Sequence, residues 1–600
     1  MAERFVSKKN ISFLLYDVFD VESLTRYPYF SDHGRETFDM VIDTALKIAT
    51  DQMHPVFMEM DRQEPQYNNG TVSVHPAVKK YIRTAGEGGW ISATKPYDVG
   101  GQQLPNMINF AAAFIFGAAN YSLSIFPGLT AGAANLIDNF GSPDLKDAYL
   151  RMLYSGKWQG TMALTEPGAG SSLSDITTQA APTPDGYYLI SGQKIFISCG
   201  RHDAVENVIH LMLARIKGAP AGVKGISLFV VPTFRPEGGE LVFNDVTCAG
   251  IDHKLGYKGS PIAQLSMGES GDCRGWLVGE PHRGLAYMFQ MMNEERIGVG
   301  IGAASIASAA YYASLEYALT RTQGRRVSEK NPAAPPVPII EHADVKRMLL
   351  FQRAVTEGAL ALLLQVSRYL DCEKVSAGED KEKYHLLVEL LTPVVKTYPS
   401  EMGILSVSQG LQILGGYGYC KDFPLEQHYR DMRIHPIHEG TTGIQGMDIL
   451  GRKVRMNDGK AMALFIDEVN ADIAAARGHD PLKGLAAELE QALRSLTDVT
   501  SSLFQTAMKA GVEVFLADAT LYLELFGLVC VAWQWLKQGT AASAALAKGT
   551  KGPDGNFHKG KIASCRFFFA YELPKSMALI QRLMNTDGLT VEVTADLFED

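Results

Sequence analysis

The chain has 600 residues, 46% hydrophobic and 20% charged, with 56 Lys and Arg against 66 Asp and Glu for a net charge of −10. That length exceeds what one hydrophobic core supports, so several domains are expected. The composition is that of a globular protein, and an acidic balance without any Lys/Arg block argues against nucleic acid as a partner.

Taken in chain order, "MAERFVSKKNISFLLYDVFD" has no apolar stretch ahead of a small-residue cleavage site, so no secretory signal is expected, and residues 1–37 read as an N-terminal extension. Residues 38–160 read as a helical domain: "ETFDMVIDTALKIATDQMHPVF" places Met40, Ala45, Leu46, Ile48 and Ala49 on a buried stripe. The longest uncharged tract, Leu104 to Ile137, is interrupted by Asn106, Asn109, Asn120, Pro127 and Asn135 and predicts a buried core helix rather than a membrane span. Over residues 161–282 the texture changes to short β-prone runs, "YYLISGQKIFIS", "VIHLMLARI", "ISLFVVPTF" and "GELVFNDV", divided by Gly, Pro and Asp. This is a central β domain.

Helical periodicity returns over residues 283–455, where small residues from Gly298 to Ala310 suit close helix packing. Within it, "CEKVSAGEDKEKYH" and "RRVSEKNPAAPPVPII" read as loops between helices. Beyond "MNDGKAM", residues 456–600 read as a separate C-terminal helical domain that includes "LYLELFGLVCVAWQWLK". Seven cysteines, Cys199, Cys248, Cys273, Cys372, Cys420, Cys530 and Cys565, are scattered without a CxxC pair, the pattern of reduced thiols and a cytoplasmic location.

Two stretches carry chemistry. "HEGTT", from His438, begins like a zinc-protease helix, but Thr442 stands where the second ligand belongs, and His435 and His438 flank Pro436 with no further ligand evident. No metal site is assigned. "MALTEPGAGSSLSDITTQA" presents the backbone N–H groups of a Pro-Gly-Ala-Gly-Ser-Ser turn beside the Thr165 and Ser171 hydroxyls. That suits a flavin edge or a pyrophosphate, and equally an inter-strand loop that needs glycine for its φ angles.

"LTEPGAGSS" (164–172), "GQKIFIS" (192–198), "MMNEERIGVG" (291–300), "YALTRTQGR" (317–325), "LQILGGYGY" (411–419), "RDMRI" (430–434) and "HEGTTGIQ" (438–445) together resemble, in order and spacing, the acyl-CoA dehydrogenase family from Glu36 to Lys453. "LLYDVFDVE", "HKLGYKGSP", "GWLVGEPHRGLAYMFQMMN", "GMDILGRK" and "RFFFAYELPKSMAL" are similar to its long subfamily, labelled for 3-methylmercaptopropionyl-CoA dehydrogenase. The resemblance implies an α+β fold: an N-terminal helical domain, a central β domain and a helical bundle, extended here by the C-terminal helical domain. It implies an FAD-dependent enzyme that converts an acyl-CoA thioester to the 2-enoyl-CoA and passes electrons to electron-transfer flavoprotein.

Such chemistry needs a base for a weakly acidic α-proton, and a carboxylate becomes one when desolvation raises its pKa. The resemblance assigns that role to Glu439, with Glu295 as the alternative or modulating carboxylate, because some members carry their base at the helix position before the arginine. It further implies that Thr165 and Ser198 hydrogen-bond the isoalloxazine, that Leu164 and Phe196 pack near it, and that Ser171 lies near cofactor and CoA. Arg296 would face the CoA moiety, Gly440 the substrate, and Thr441 the flavin diphosphate. Arg321, Gln323, Gln412 and Gly416 would reach the FAD of a second subunit in a homodimer, with residues 456–600 covering the surface used for tetramers elsewhere in the family. Ser172, Phe196, Gly443 and Gly324 depart from residues common at those positions. An acyl-CoA oxidase or a DNA-associated flavoprotein of the same fold is the alternative function, and the acyl group is left open among methylthiopropionyl, straight-chain, alicyclic and aromatic.

Overall fold

The β-prone centre of the chain forms one eight-stranded sheet in the computed structural model, which describes residues 4–599 apart from the side chains of 290–292. Its strands are β1 (Trp158–Ala163), β2 (Gln179–Pro182), β3 (Tyr188–Ser198), β4 (Asn207–Ile216), β5 (Ile226–Pro232), β6 (Val246–Ile251), β7 (Ile262–Met267) and β8 (Arg274–Leu277). They are ordered β6-β7-β3-β8-β5-β4-β1, with β2 pairing both β3 and β4. β4 is buried along most of its length and β5 along all of it, which is why both read as unbroken apolar runs.

The described chain divides into two units, one of Met40–Leu104 with Ile115–Glu295, the other of Met1–Asp39, Pro105–Phe114 and Arg296–Asp600. The first holds the sheet, together with α1 (Arg35–Ile48, from Met40), α2 (Pro76–Glu87), the later part of α3 (Asn106–Phe140) and α4 (Pro143–Tyr154). One core packs Ile209, Leu211, Leu228 and Val230 with Ala133, Ile137, Leu145 and Leu153, and a second gathers Met212, Phe229, Ile197 and Leu265. The tract expected as a core helix is α3, broken at Asn120 (φ −165°, ψ 97°). Asn120 Oδ1 accepts the Leu123 N–H at 3.2 Å and its Nδ2 donates to the Met53 carbonyl at 3.3 Å, so the side chain replaces hydrogen bonds lost at the break.

The second unit is built on α5 (Gly284–Thr320, from Arg296), α6 (Ala343–Val375), α7 (Gly378–Leu414), α8 (Leu425–Met432) and α9 (Thr442–Gly451). The C-terminal helices α10 (Lys460–Ala476), α11 (Lys483–Ala510), α12 (Ala519–Ala547) and α13 (Gly552–Phe567) follow. α12 is the central rod of that last group, with Trp533 and Trp535 fully buried on it. The charged segment read as a loop is corrected here: α6 ends at Val375 and α7 starts at Gly378, so its charges lie on helix ends. Lys374 in the last turn of α6 and Glu379 and Asp380 in the first turn of α7 each complement the helix dipole, a placement that charge density alone does not reveal.

Among the described residues four segments, Asn106–Phe140, Gly284–Thr320, Ala343–Val375 and Val512–Ala547, are long and apolar enough to cross a membrane by length and composition, and most of each apolar window is buried within the protein. The N-terminal extension buries Phe13, Leu14 and Leu15 and is stitched to the C-terminal helices by Lys561, whose Nζ reaches Asn10, Glu357 and Gln538.

Small residues set the helix crossings. Pro399 has no N–H for the Val395 carbonyl four residues back, and that freed oxygen faces Gly300, where a Cβ would lie 2.0 Å from it. Likewise a Cβ on Gly446 of α9 would meet the Ala519 backbone of α12 at 2.8 Å, so the C-terminal helices back α9 directly. Gly300→Val is expected to destabilise the protein by about 1–3 kcal/mol or more, because a rigid carbonyl offers no room for the side chain. Urea unfolding checks this, and an unchanged midpoint would contradict the close crossing.

Candidate active site

In the sheet unit, the loop after β1 and the end of β3 are joined by one backbone bond, Ile195 N–H to the Thr165 carbonyl at 3.0 Å. Pairing of β3 with β7 slips between Ala263 and Leu265, so that Ile195 and Phe196 oppose Gln264 alone. That bulge puts Phe196 at φ +59° and leaves the residue 59% exposed, while Lys194 and Ile197 turn inward. Leu164 and Thr165 thus run alongside Lys194 and Ile195, with Phe196 and Ser198 following on the same strand and Ser171 exposed on the same loop. An exposed aromatic residue here offers a surface on which a flat heteroaromatic can stack.

Two residues that motif reading did not single out hold this loop. Glu166 is buried; its carboxylate accepts the Thr177 N–H at 2.6 Å, the Thr178 N–H at 3.1 Å and the Lys194 Nζ at 2.8 Å. Lys194, fully buried, also donates to the Leu164 carbonyl at 2.9 Å. Burial alone would raise the Glu166 pKa, but the Lys194 ammonium and the Thr177 and Thr178 donors hold it down to about 2. Lys194 shares the buried face of β3 with Ile190, and the bulge after it turns Phe196 to the other side.

The second unit carries the other set. Glu439 and Gly440 are consecutive left-handed residues, at φ +53° and φ +88°. Their carbonyls are both tied down: Gln445 Nε2 donates to the Glu439 oxygen at 3.1 Å and Lys396 Nζ to the Gly440 oxygen at 2.8 Å. Thr442 Oγ1 binds the Glu401 carboxylate. Among the described residues the Glu439 N–H has no protein acceptor, which leaves it available to a substrate oxygen. Thr441 caps α9 through Oγ1, at 3.4 Å from the Ile444 N–H, and the helix N-terminus beside it suits an anionic diphosphate. The residues present therefore fit an FAD.

Arg296 is 4% exposed, and its Nη1 pairs with Asp448 at 3.2 Å while Nε has no partner among the described residues. Burial raises the Glu439 pKa against the opposing charges of Arg296 and Lys396. Arg321, Gln323, Gln412 and Gly416 also come together, lining an open cleft of about 580 Å³ with Tyr317 and Tyr417. Glu294, two residues before Arg296, accepts from Asn135 Nδ2 at 2.6 Å, and Glu295 is half-buried.

The chain matches four family descriptions in succession: "Acyl-CoA dehydrogenase, N-terminal domain" over residues 35–157, "middle domain" over 161–269, "C-terminal domain" over 282–454 and "Acetyl-CoA dehydrogenase C-terminal like" over 465–594. It is 36% identical over 578 residues to the 3-methylmercaptopropionyl-CoA dehydrogenase of Ruegeria pomeroyi, spanning 95% of this chain and 97% of that one. To a butyryl-CoA dehydrogenase of Syntrophomonas wolfei it is 33% identical over 606 residues, 98% of each. An acyl-CoA dehydrogenase from Bacillus anthracis, solved with FAD, shares the fold with a TM-score of 0.73 over 98% of this chain and 93% of that one at 21% identity. Fold and site together define a flavin-dependent oxidoreductase of acyl-CoA. The chain belongs to the acyl-CoA dehydrogenase family, in the form that carries an additional C-terminal helical domain.

Because the folded pKa of Glu166 lies below its ordinary value of 4.5, its contribution is full above that pH and is lost as pH falls toward 2. Glu166→Gln is expected to cost roughly 3 kcal/mol at pH 7, and the gap to wild type should close progressively below pH about 4.5. Urea unfolding of both proteins across pH checks it; a gap independent of pH would contradict the ionised pair.

Proposed function

We propose that the protein removes the α-proton and the β-hydride of a short or medium acyl-CoA thioester, with Glu439 as the base. Bound FAD supplies the hydride acceptor. The observation that carries this reading is the Glu439–Gly440 turn: a half-buried carboxylate whose pKa burial raises, on a residue whose own N–H has no acceptor among the described residues. That N–H would bind the thioester oxygen and acidify the α-carbon, while the carboxylate takes the proton. Gly440 keeps the backbone beside the thioester free of a side chain.

On the cofactor side, Thr165 and Ser198 would hydrogen-bond the isoalloxazine, Leu164 and Phe196 would cover it, and Ser171 would lie toward the CoA junction. Thr441 and the N-terminus of α9 would hold the diphosphate. Arg321, Gln323, Gln412 and Gly416 would receive the adenine end of a second subunit's cofactor, which makes the working unit a homodimer. Arg296 would act toward the CoA moiety. Electron-transfer flavoprotein is the proposed acceptor and the cytoplasm the proposed location, consistent with seven cysteines all present as free thiols. The names of the Ruegeria and Syntrophomonas relatives favour short acyl groups, 3-(methylthio)propanoyl and butyryl among them.

Anaerobic mixing of the yellow protein with a panel of acyl-CoAs, followed as flavin bleaching, tests the reading. Glu439→Gln keeps size and hydrogen bonding but removes the proton acceptor, and flavin reduction should fall by about 10²–10⁴ while binding survives. Glu295→Gln should change the rate only modestly. A dead Glu295→Gln enzyme beside a fast Glu439→Gln enzyme would move the base to the helix.

A further inference from the structure

A turn that carries a catalytic carboxylate needs its backbone and its charge fixed together. Lys396 is placed to do both. It lies on α7 between Pro393 and Pro399, is 0% exposed, and donates through Nζ to the Gly440 carbonyl at 2.8 Å. Its helix neighbours Val394, Val395 and Tyr398 are buried and apolar, so packing alone would favour a hydrocarbon there, and burying an ammonium without a matched partner is costly.

The other charges around the turn are accounted for. Arg296, from α5, is engaged by Asp448 of α9. Glu401, one turn beyond Lys396 on α7, is bound by Thr442 Oγ1 and sits in the field of Glu524 on α12. His435 and His438, in the segment leading into the turn, are kept neutral by burial. Among the described residues no carboxylate lies within salt-bridge distance of Lys396, so its charge acts at slightly longer range on Glu439 and Glu401. Arg296 gives part of its charge to Asp448, whereas that of Lys396 is left for the turn.

We propose that Lys396 is a positioning residue for the dehydrogenation: its ammonium locks the Glu439–Gly440 turn through the Gly440 carbonyl and supplies the positive field that keeps the Glu439 carboxylate ionised in a desolvated site. The proposal rests on Glu439 being the base. Burial pushes the Glu439 carboxyl up and Lys396 is one of two cations opposing it, so a neutral residue at 396 should leave a carboxyl that ionises only at higher pH. Burial likewise brings the Lys396 ammonium down to about 8, so the field is present at neutral pH.

The test uses the full-length FAD-loaded protein and anaerobic stopped-flow reduction by butyryl-CoA across pH. In Lys396→Met the midpoint of the acid limb should rise by about one pH unit or more, with a lower limiting rate. Lys396→Gln keeps a donor near the Gly440 carbonyl without the charge; it should show the same midpoint shift with a smaller rate loss, and it serves if the Met variant does not fold. Lys396→Arg should return the midpoint to the wild-type position. An acid limb unmoved in the neutral variants, or moved equally by Lys396→Arg, overturns the proposal, since a purely structural lysine would lower the rate without shifting the profile. Glu439→Gln is run alongside. If it keeps both rate and limb, the base assignment has failed and takes this proposal with it; if it loses them while the Lys396 variants leave the limb in place, the proposal alone has failed.

Discussion

The chemistry proposed for this protein depends on a short piece of backbone held in a conformation it would not choose. Two consecutive left-handed residues, one of them the non-glycine Glu439, cost on the order of 1 kcal/mol or more, and they persist only because neighbouring groups over-determine them. Gln445 and Lys396 each take one carbonyl of the turn, and Thr442 is anchored to Glu401. Behind these contacts stand the helix crossings: Gly300 against the Val395 carbonyl brings α5 and α7 together, and Gly446 lets α9 rest on the start of α12. The C-terminal helices thus support the turn as well as filling volume.

The sheet unit uses the same device on its own loop. Lys194, like Lys396, is a fully buried ammonium that reaches a backbone carbonyl of a motif loop, that of Leu164. The difference lies in the partner. Lys194 has the Glu166 carboxylate at 2.8 Å and forms a closed, neutral pair that fixes structure. Lys396 has no such partner among the described residues, and its field extends to the Glu439 carboxylate. A closed pair stabilises a loop; an open charge also tunes a neighbouring acid.

Much of this was legible in the sequence, for identifiable reasons. The long apolar strands β4 and β5 and the small-residue run from Gly298 announced the sheet and the close crossings, because burial on both faces and tight helix contact leave direct compositional marks. The resemblance also put Leu164, Thr165, Phe196 and Ser198 in one group and Arg321, Gln323, Gln412 and Gly416 in another; the structure lines one cleft with the second group, and ties the loop of the first to β3 by the Thr165–Ile195 bond. What escaped were features set by exceptions to periodicity. The bulge at Ile195–Phe196 turns Phe196 away from the buried face that Ile190 and Lys194 share, and a lysine within an apolar helix gives no sign that its Nζ ends on a carbonyl 44 residues away. The charged stretch after Cys372 looked like a loop because its charges serve helix ends, where dipole complementarity rather than solvent exposure selects them.

The central claim is that Glu439 takes a proton from carbon. It can be isolated from hydride transfer with an acyl-CoA that has α-hydrogens but no β-hydrogen, such as 3,3-dimethylbutyryl-CoA, incubated with the FAD-loaded protein in D₂O. Proton NMR should show enzyme-dependent loss of the α-hydrogen signal without flavin bleaching in wild type, and no exchange above background in Glu439→Gln. Exchange at the wild-type rate in Glu439→Gln would contradict the account.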